Sequence, residues 1–236
     1  MNEIHRGDCI KILSQYSKPF ADLIFADPPF NIGYEYETRT DNRHPVLYFH
    51  WCREWIQTGK RILKPGGSFW VAINDENVVE IASLMKSAGL TQWQWCIWYY
   101  TFGVHCETKY GRDHTHLLHF VNGERPKYFQ PERIESERQR AGDKRANPKG
   151  RVPGNVWQYP RLPGNSKERT GHPCQMPETV MSRIVNDNCP PGGTVVDLFA
   201  GSGTTAKVAN RLGRNSINCE IEDKYVEMIE KRLTAA

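Results

Sequence analysis

Val195-Val196-Asp197-Leu198-Phe199-Ala200-Gly201-Ser202-Gly203-Thr204-Thr205 is the stretch that decides the fold. Apolar β-branched residues and an acid run into two glycines one residue apart, followed by two threonines. This reads as a buried strand that ends abruptly in a turn opening a helix. Its counterpart lies near the other end of the chain, where Ala21-Asp22-Leu23-Ile24-Phe25-Ala26 runs into Asp27-Pro28-Pro29-Phe30. Open α/β sheets bind ligands where their strands end. One stretch offers glycines that admit a ligand to the backbone; the other offers a carboxylate, two prolines and an aromatic ring.

Between and around these two strand ends, helical and strand periods alternate. Strands are expected near residues 3–6, 22–26, 68–73, 194–198 and 216–219, and helices over 10–16, 46–63, 77–88, 176–185, 204–212 and 223–233. Such alternation predicts a mostly parallel sheet covered by helices on both faces. Two β-rich runs, 93–102 and 114–121, have no helix between them and predict an antiparallel hairpin at the sheet edge. Residues 31–45, directly after Asp27-Pro28-Pro29-Phe30, are polar, aromatic-dotted and aperiodic, with Tyr34 and Tyr36. A long loop in that place is expected to close over a bound group. No internal repeat or low-complexity tract interrupts the pattern.

Composition narrows the function classes. With 236 residues, 39% hydrophobic and 25% charged, the chain has enough apolar material for one substantial folded domain. The N-terminus lacks the apolar run of a signal peptide, and no stretch approaches the length of a membrane span. Seven scattered cysteines without a Cys-x-x-Cys pair argue for reduced thiols in a cytoplasmic protein, not for a disulfide framework. The net charge of +4 decides little, but its distribution does: residues 125–170 hold 12 Lys or Arg against 5 Asp or Glu. A basic segment on a slightly acidic body points to a polyanionic partner.

Taken together, the motifs resemble the amino-group DNA methyltransferases, which act on adenine N6 or cytosine N4. The tetrapeptide precedes the cofactor glycines, an order that resembles the circularly permuted β subgroup. The resemblance covers residues 3–121 and 171–233. It implies a Rossmann-like methyltransferase fold, α/β, with a mostly parallel seven-stranded sheet, an antiparallel edge hairpin and permuted motif order. Residues 1–123 would form the catalytic part, 124–170 a target-recognition insertion, and 171–236 the cofactor-binding part of the same domain. The implied cofactor is S-adenosylmethionine and the implied partner double-stranded DNA, with no membrane. A homodimer and a cognate restriction endonuclease stay open as partners, and the implied location is cytoplasmic and nucleoid-associated.

Residue by residue, the resemblance gives Asp27, Pro28, Pro29 and Phe30 the catalytic positions. An exocyclic amino group is a poor nucleophile because its lone pair is delocalised into the ring. The Asp27 carboxylate and Pro28 carbonyl would draw its nitrogen towards sp³, while Phe30 stacks on a flipped base. Cofactor contacts fall on Asp27, Asp197, Phe199, Ala200, Gly201, Ser202, Gly203, Thr204 and Thr205. An acid ending the next strand would hold ribose hydroxyls; Glu220 is the first candidate, with Glu222 and Asp223 competing. Arg6-Gly7-Asp8-Cys9 is similar to the family's N-terminal turn, placing Asp8 and Cys9 near the cofactor's adenine. His172-Pro173-Cys174-Gln175-Met176-Pro177 resembles a family segment at the methionine end, from which His172 and Gln175 carry over. There Cys174 and Met176 replace Thr and Lys, so any carboxylate held by that Lys needs another partner here. In the insertion, Arg138, Arg140, Lys144, Arg145, Lys149 and Arg151 suit phosphates and guanine edges. Trp157, Tyr159 and Pro160 are expected to pack the insertion on the core.

Plainer readings stand beside these. A proline-rich strand end with an Asp cap, a tight Gly-x-Gly turn and a solvated basic loop would each explain one motif alone. His105, Cys106, His114, His116 and His119 could suggest a metal, but none is expected, since methyl transfer needs none. Asp at the head of the tetrapeptide favours adenine N6, with cytosine N4 as the alternative on the same fold. A catalytically weak DNA-binding or regulatory relative is the rival of another class. Enzymes with Asn-Pro-Pro-Tyr that modify glutamine or RNA usually place the cofactor loop first.

Overall fold

The computed structural model describes residues 1–35, 40–101, 103 and 106–234. Tyr36 in the polar loop, Phe102 at the end of the first β-rich run and His105 of the histidine group lie outside the described residues. Among the described residues, eight strands form one sheet: β1 (Asn2–Arg6), β2 (Ala21–Ala26), β3 (Leu63–Ile73), β4 (Thr91–Tyr99), β5 (His114–Val121), β6 (Val156–Gln158), β7 (Thr194–Asp197) and β8 (Asn215–Glu220). Their spatial order is β1-β8-β7-β2-β3-β5-β4-β6. Every pairing is parallel except those of β5 with β3 and β4.

The expected count of seven strands is corrected by β6, which comes from the middle of the basic insertion. Three residues long, it pairs in parallel with Ile97–Tyr99 of β4, so the antiparallel β4–β5 hairpin is inside the sheet rather than at its edge. Trp157 anchors this addition. It is buried at 7% exposure in a core cluster with Trp70 and Trp98, while Tyr159 packs half-buried against the same cluster.

The described residues also form seven helices: α1 (Cys9–Leu13), α2 (Pro45–Ile62), α3 (Val78–Ser87), α4 (Glu137–Arg140), α5 (Glu178–Asn188), α6 (Thr204–Arg211) and α7 (Asp223–Thr234). Among the described residues, none is long and apolar enough to cross a membrane. The alternation of β2 explains the layers. Ile24 points into a core with Leu13, Trp55, Ile56 and Ile81 from α1, α2 and α3. Leu23 and Phe25 point the other way, onto Val180, Ile184 and Val208 from α5 and α6. A strand covered on both faces needs apolar residues, which is why 21–26 is apolar except at Asp22, whose carboxylate is paired with Lys64 at 2.9 Å. Each fully buried Leu or Ile contributes roughly 1.5–3 kcal/mol.

The chain changes direction at the centre of the sheet. From β2 it passes through α2 to β3 on one side; from β7 it passes through α6 to β8 on the other. Because β2 and β7 are parallel neighbours, with Phe25 opposite Asp197, the loops that leave them open a crevice at the same end. The backbone N–H of Leu198 donates to the Phe25 carbonyl at 3.0 Å and locks the two strand ends side by side.

Candidate active site

Above this crevice is a cavity whose wall includes Asp27, Pro28, Pro29 and Phe30 on one side and Asp197, Phe199, Ala200, Gly201 and Ser202 on the other. The tetrapeptide is held through its last two carbonyls. Tyr48 of α2 donates its hydroxyl to the Pro29 carbonyl at 2.9 Å, and Asn77 donates its amide to the Phe30 carbonyl at 2.7 Å. Among the described residues, the Asp27 carboxylate and the Pro28 carbonyl receive no hydrogen bond. Two acceptors in sequence are thus left facing the cavity, beside the half-buried ring of Phe30. Burial and the nearby negative charge of Asp197 push the Asp27 carboxyl from 3.8 up to about 7.

The opposite wall is shaped by acids that hold backbone. Asp197 accepts the Phe199 N–H at 3.0 Å and the Thr205 hydroxyl, and burial raises its carboxyl to about 6. The Glu220 carboxylate accepts three backbone N–H groups, from Gly201 at 2.7 Å, Ile221 at 2.7 Å and Glu222 at 2.9 Å. Gly201 adopts φ +50°, and a Cβ there would lie 3.1 Å from the His172 ring nitrogen. His172 therefore roofs the glycine turn and packs against Tyr225 of α7, the ring centroids 4.3 Å apart and the planes tilted by 60°. Burial lowers its imidazole to about 4, so it is neutral near pH 7.

Most sequence-expected residues meet in this cavity. Asp8 and Cys9 line it, with Asp8 also capping α1 through the Ile10 N–H at 2.7 Å. Thr204 and Thr205 line it, as do both Glu220 and Glu222. Asp223 is directed elsewhere, paired with Arg6 at the surface, where Nη2 donates at 2.7 Å.

Two expected residues stand outside the cavity wall. Gly203 does not reach the cavity: at φ +75° its missing Cβ points 2.9 Å from Ile229 Cγ1, so this glycine lets α7 pack on the loop. Gln175 does not reach it either. Its amide accepts from the Thr170 N–H at 2.8 Å and donates to the Glu168 carbonyl at 2.8 Å, bracing the segment that presents His172.

The described parts of the polar loop after Phe30, 31–35 and 40–43, are bonded to each other. Asn31 and Arg43 exchange two hydrogen bonds, of 2.9 and 2.7 Å, and Gly33 donates to the Asp41 carbonyl at 3.1 Å. Glu35 and Thr40 form an antiparallel bridge, so that segments 31–35 and 40–43 face each other. Ile32, Tyr34, Asp41 and Arg43 from these segments join the wall, as does Trp51 from α2. The sequence did not single out these last three. Trp51 lies four residues before Trp55, a spacing that also describes a core stripe.

Six of the basic residues of segment 124–170, Arg138, Arg140, Lys144, Arg145, Lys149 and Arg151, are exposed and line no part of the cavity. Arg145 makes a two-pronged pair with Asp143 at 3.0 Å, and Arg140 lies 3.8 Å from Glu135. Arg138, Lys144, Lys149 and Arg151 make no ion pair among the described residues. Of the histidines, His119 is buried, stacked on Trp70 and bonded to Ser68, and His116 accepts the Trp95 indole N–H. The described residues hold no cluster of His, Cys, Asp or Glu able to bind a metal.

Comparison with known proteins places this geometry. Residues 21–231 match the profile of the N6/N4 DNA methylase family. DNA adenine methyltransferase YhdJ of Escherichia coli is 34% identical over 99% of this chain and 83% of its own. Type II methyltransferase M.HpaI of Haemophilus parainfluenzae is 31% identical over 96% of this chain and 72% of its own. Among solved structures, M1.HpyAVI in complex with SAM superposes with a TM-score of 0.76 at 22% identity, covering 99% of both chains. The cytosine-N4-specific PvuII DNA methyltransferase superposes with a TM-score of 0.76 at 19% identity, over 98% of this chain and 86% of that one. These structures share the fold.

Proposed function

Because the chain belongs to the DNA methylase family that modifies exocyclic amino groups, we propose that it is an adenine-N6 methyltransferase of the permuted β subgroup, using S-adenosylmethionine. The observation that carries this is the pair of unused acceptors, the Asp27 carboxylate and Pro28 carbonyl, facing a cavity shared with the glycine turn. The adenine preference is supported by Asp at the head of the tetrapeptide and by the name of the Escherichia coli relative.

The wall suits S-adenosylmethionine. Six carboxylates, from Asp8, Asp27, Asp41, Asp197, Glu220 and Glu222, give negative surroundings that complement its sulfonium and ammonium groups. When bound, the cofactor supplies an electrophilic methyl group. The chain's own residues do the rest. Asp27 and the Pro28 carbonyl accept the two amino hydrogens, which concentrates the lone pair on nitrogen, and Asp27 receives the proton released when nitrogen is alkylated. Phe30 offers its ring face to a base extruded from the duplex, replacing lost stacking. Ile32, Tyr34, Asp41 and Arg43 stand in the same wall as Phe30, beside the place such a base would occupy.

The test is nucleoside mass spectrometry of DNA incubated with the purified protein and S-adenosylmethionine. N6-methyladenine is expected. N4-methylcytosine would overturn the choice of base, and cofactor binding without methylation would favour a regulatory relative.

A further inference from the structure

Charge in the cavity is one-sided. Against its six carboxylates, the described wall carries a single guanidinium, that of Arg43. His172, the other basic ring in the wall, is kept neutral by burial. Arg43 is positioned from two directions. Its backbone is fixed by the paired hydrogen bonds with Asn31, and its guanidinium carbon lies 4.6 Å above the Trp51 ring. Trp51 in turn meets Phe199 of the glycine turn edge-on at 5.5 Å, which sets the cation beside that wall.

No acid claims it. The nearest acid in sequence, Asp41, turns its carboxylate to the backbone N–H groups of Ile32 and Tyr34. Among the described residues the guanidinium N–H groups make no hydrogen bond or ion pair. A guanidinium seated on an aromatic ring keeps its N–H edge available for two-pronged binding of an oxyanion.

Building on the methyltransferase reading, we propose that Arg43 is the ionic partner of the methionine carboxylate of S-adenosylmethionine. That cofactor carries two cationic centres and one carboxylate. The acids of the wall favour the first two and repel the third, so the carboxylate needs a cation, and Arg43 supplies it. A DNA phosphate at the cavity mouth has similar chemistry, so the test separates the two.

Calorimetric titrations without DNA would compare S-adenosylmethionine with its decarboxylated analogue, on the parent protein, Arg43→Met and Arg43→Lys. The methionine side chain retains an apolar stem over Trp51 and removes the charge. Arg43→Met is expected to weaken S-adenosylmethionine by about tenfold to a hundredfold, to leave the decarboxylated analogue unchanged, and to be partly rescued in Arg43→Lys. Equal losses for both ligands would overturn the assignment, since Arg43 would then only shape the wall. Unchanged cofactor affinity with a flatter salt dependence of DNA binding would overturn it in favour of a phosphate. If the parent protein bound neither ligand, the methyltransferase reading itself would fail, and this assignment with it.

Discussion

Gly201 donates its backbone N–H to Glu220 Oε2 at 2.7 Å, so the acid that ends β8 braces the turn that follows β7. The same carboxylate also accepts the Ile221 and Glu222 N–H groups. Its first role is structural, whatever it offers a ribose. Glu220→Ala would leave three N–H groups short of an acceptor in a partly buried place, at a cost of ~1–3 kcal/mol for each that water cannot reach. Denaturant unfolding should show a loss of about 2–4 kcal/mol together with weaker cofactor binding. A variant of unchanged stability that bound cofactor poorly would contradict the brace and leave only the ligand role.

Gly203 should respond differently. Its left-handed backbone costs any other residue about 1 kcal/mol, and a Cβ would press on Ile229 at 2.9 Å. Gly203→Ala is expected to lower the melting temperature by several degrees. Pairing it with Ile229→Ala should recover the part due to the clash, seen as a positive coupling in a double-mutant cycle. Strict additivity would show that Ile229 is not what the glycine accommodates.

These two residues mark where the sequence was legible and where it was not. Periodicity located both central strands and nearly every helix; a six-residue, largely apolar run such as 21–26, too short for a helix and ended by Asp27-Pro28-Pro29, fits a strand buried on both faces. It could not say which way a backbone faces within a turn. Gly201 and Gly203 look alike in sequence, yet one lies under His172 and the other under Ile229. Gln175 is likewise two hydrogen bonds away from a role that its motif suggested. Strand β6 escaped because three residues show no period, and only Trp157 hinted at burial. The pairing of 31–35 with 40–43 escaped because side chains hold it: Asn31 reaches twelve residues ahead to Arg43, and Asp41 gathers the backbone of Ile32 and Tyr34. Such bonds leave no mark in hydrophobic spacing.

The raised Asp27 carboxyl has a signed consequence. Its ordinary value is 3.8 and its folded value about 7, so between these the folded state keeps a proton that the unfolded state releases. The stability this group contributes is full below about pH 4 and is lost as pH rises through 7. Asp27→Asn, of the same shape and uncharged, should therefore exceed the parent's stability at pH 8 by on the order of 1–3 kcal/mol. The gap should narrow as pH falls through 6. The parent's methylation rate should climb through pH 7 as the acceptor ionises. Urea melts at four pH values would decide it: a gap that does not vary with pH would mean that Asp27 is ionised throughout.

The basic insertion yields the last expectation. Arg138, Lys144, Lys149 and Arg151 are exposed and free of ion pairs among the described residues, whereas Arg145 is already clasped by Asp143. A phosphate must compete with that carboxylate for Arg145, but not for Lys144. If the insertion lies along the DNA backbone, each lost phosphate contact should flatten the slope of log affinity against log salt by about 0.9. Lys144→Ala should show nearly that full change, Arg145→Ala less, and the fourfold replacement of Arg138, Lys144, Lys149 and Arg151 about the sum. Cofactor affinity should not move, because none of these side chains reaches the cavity. Fluorescence anisotropy with a labelled duplex at several salt concentrations measures all of this. If the fourfold variant kept the parent's slope, the positive charge of the insertion would be merely solvated, and the duplex would have to dock through another face.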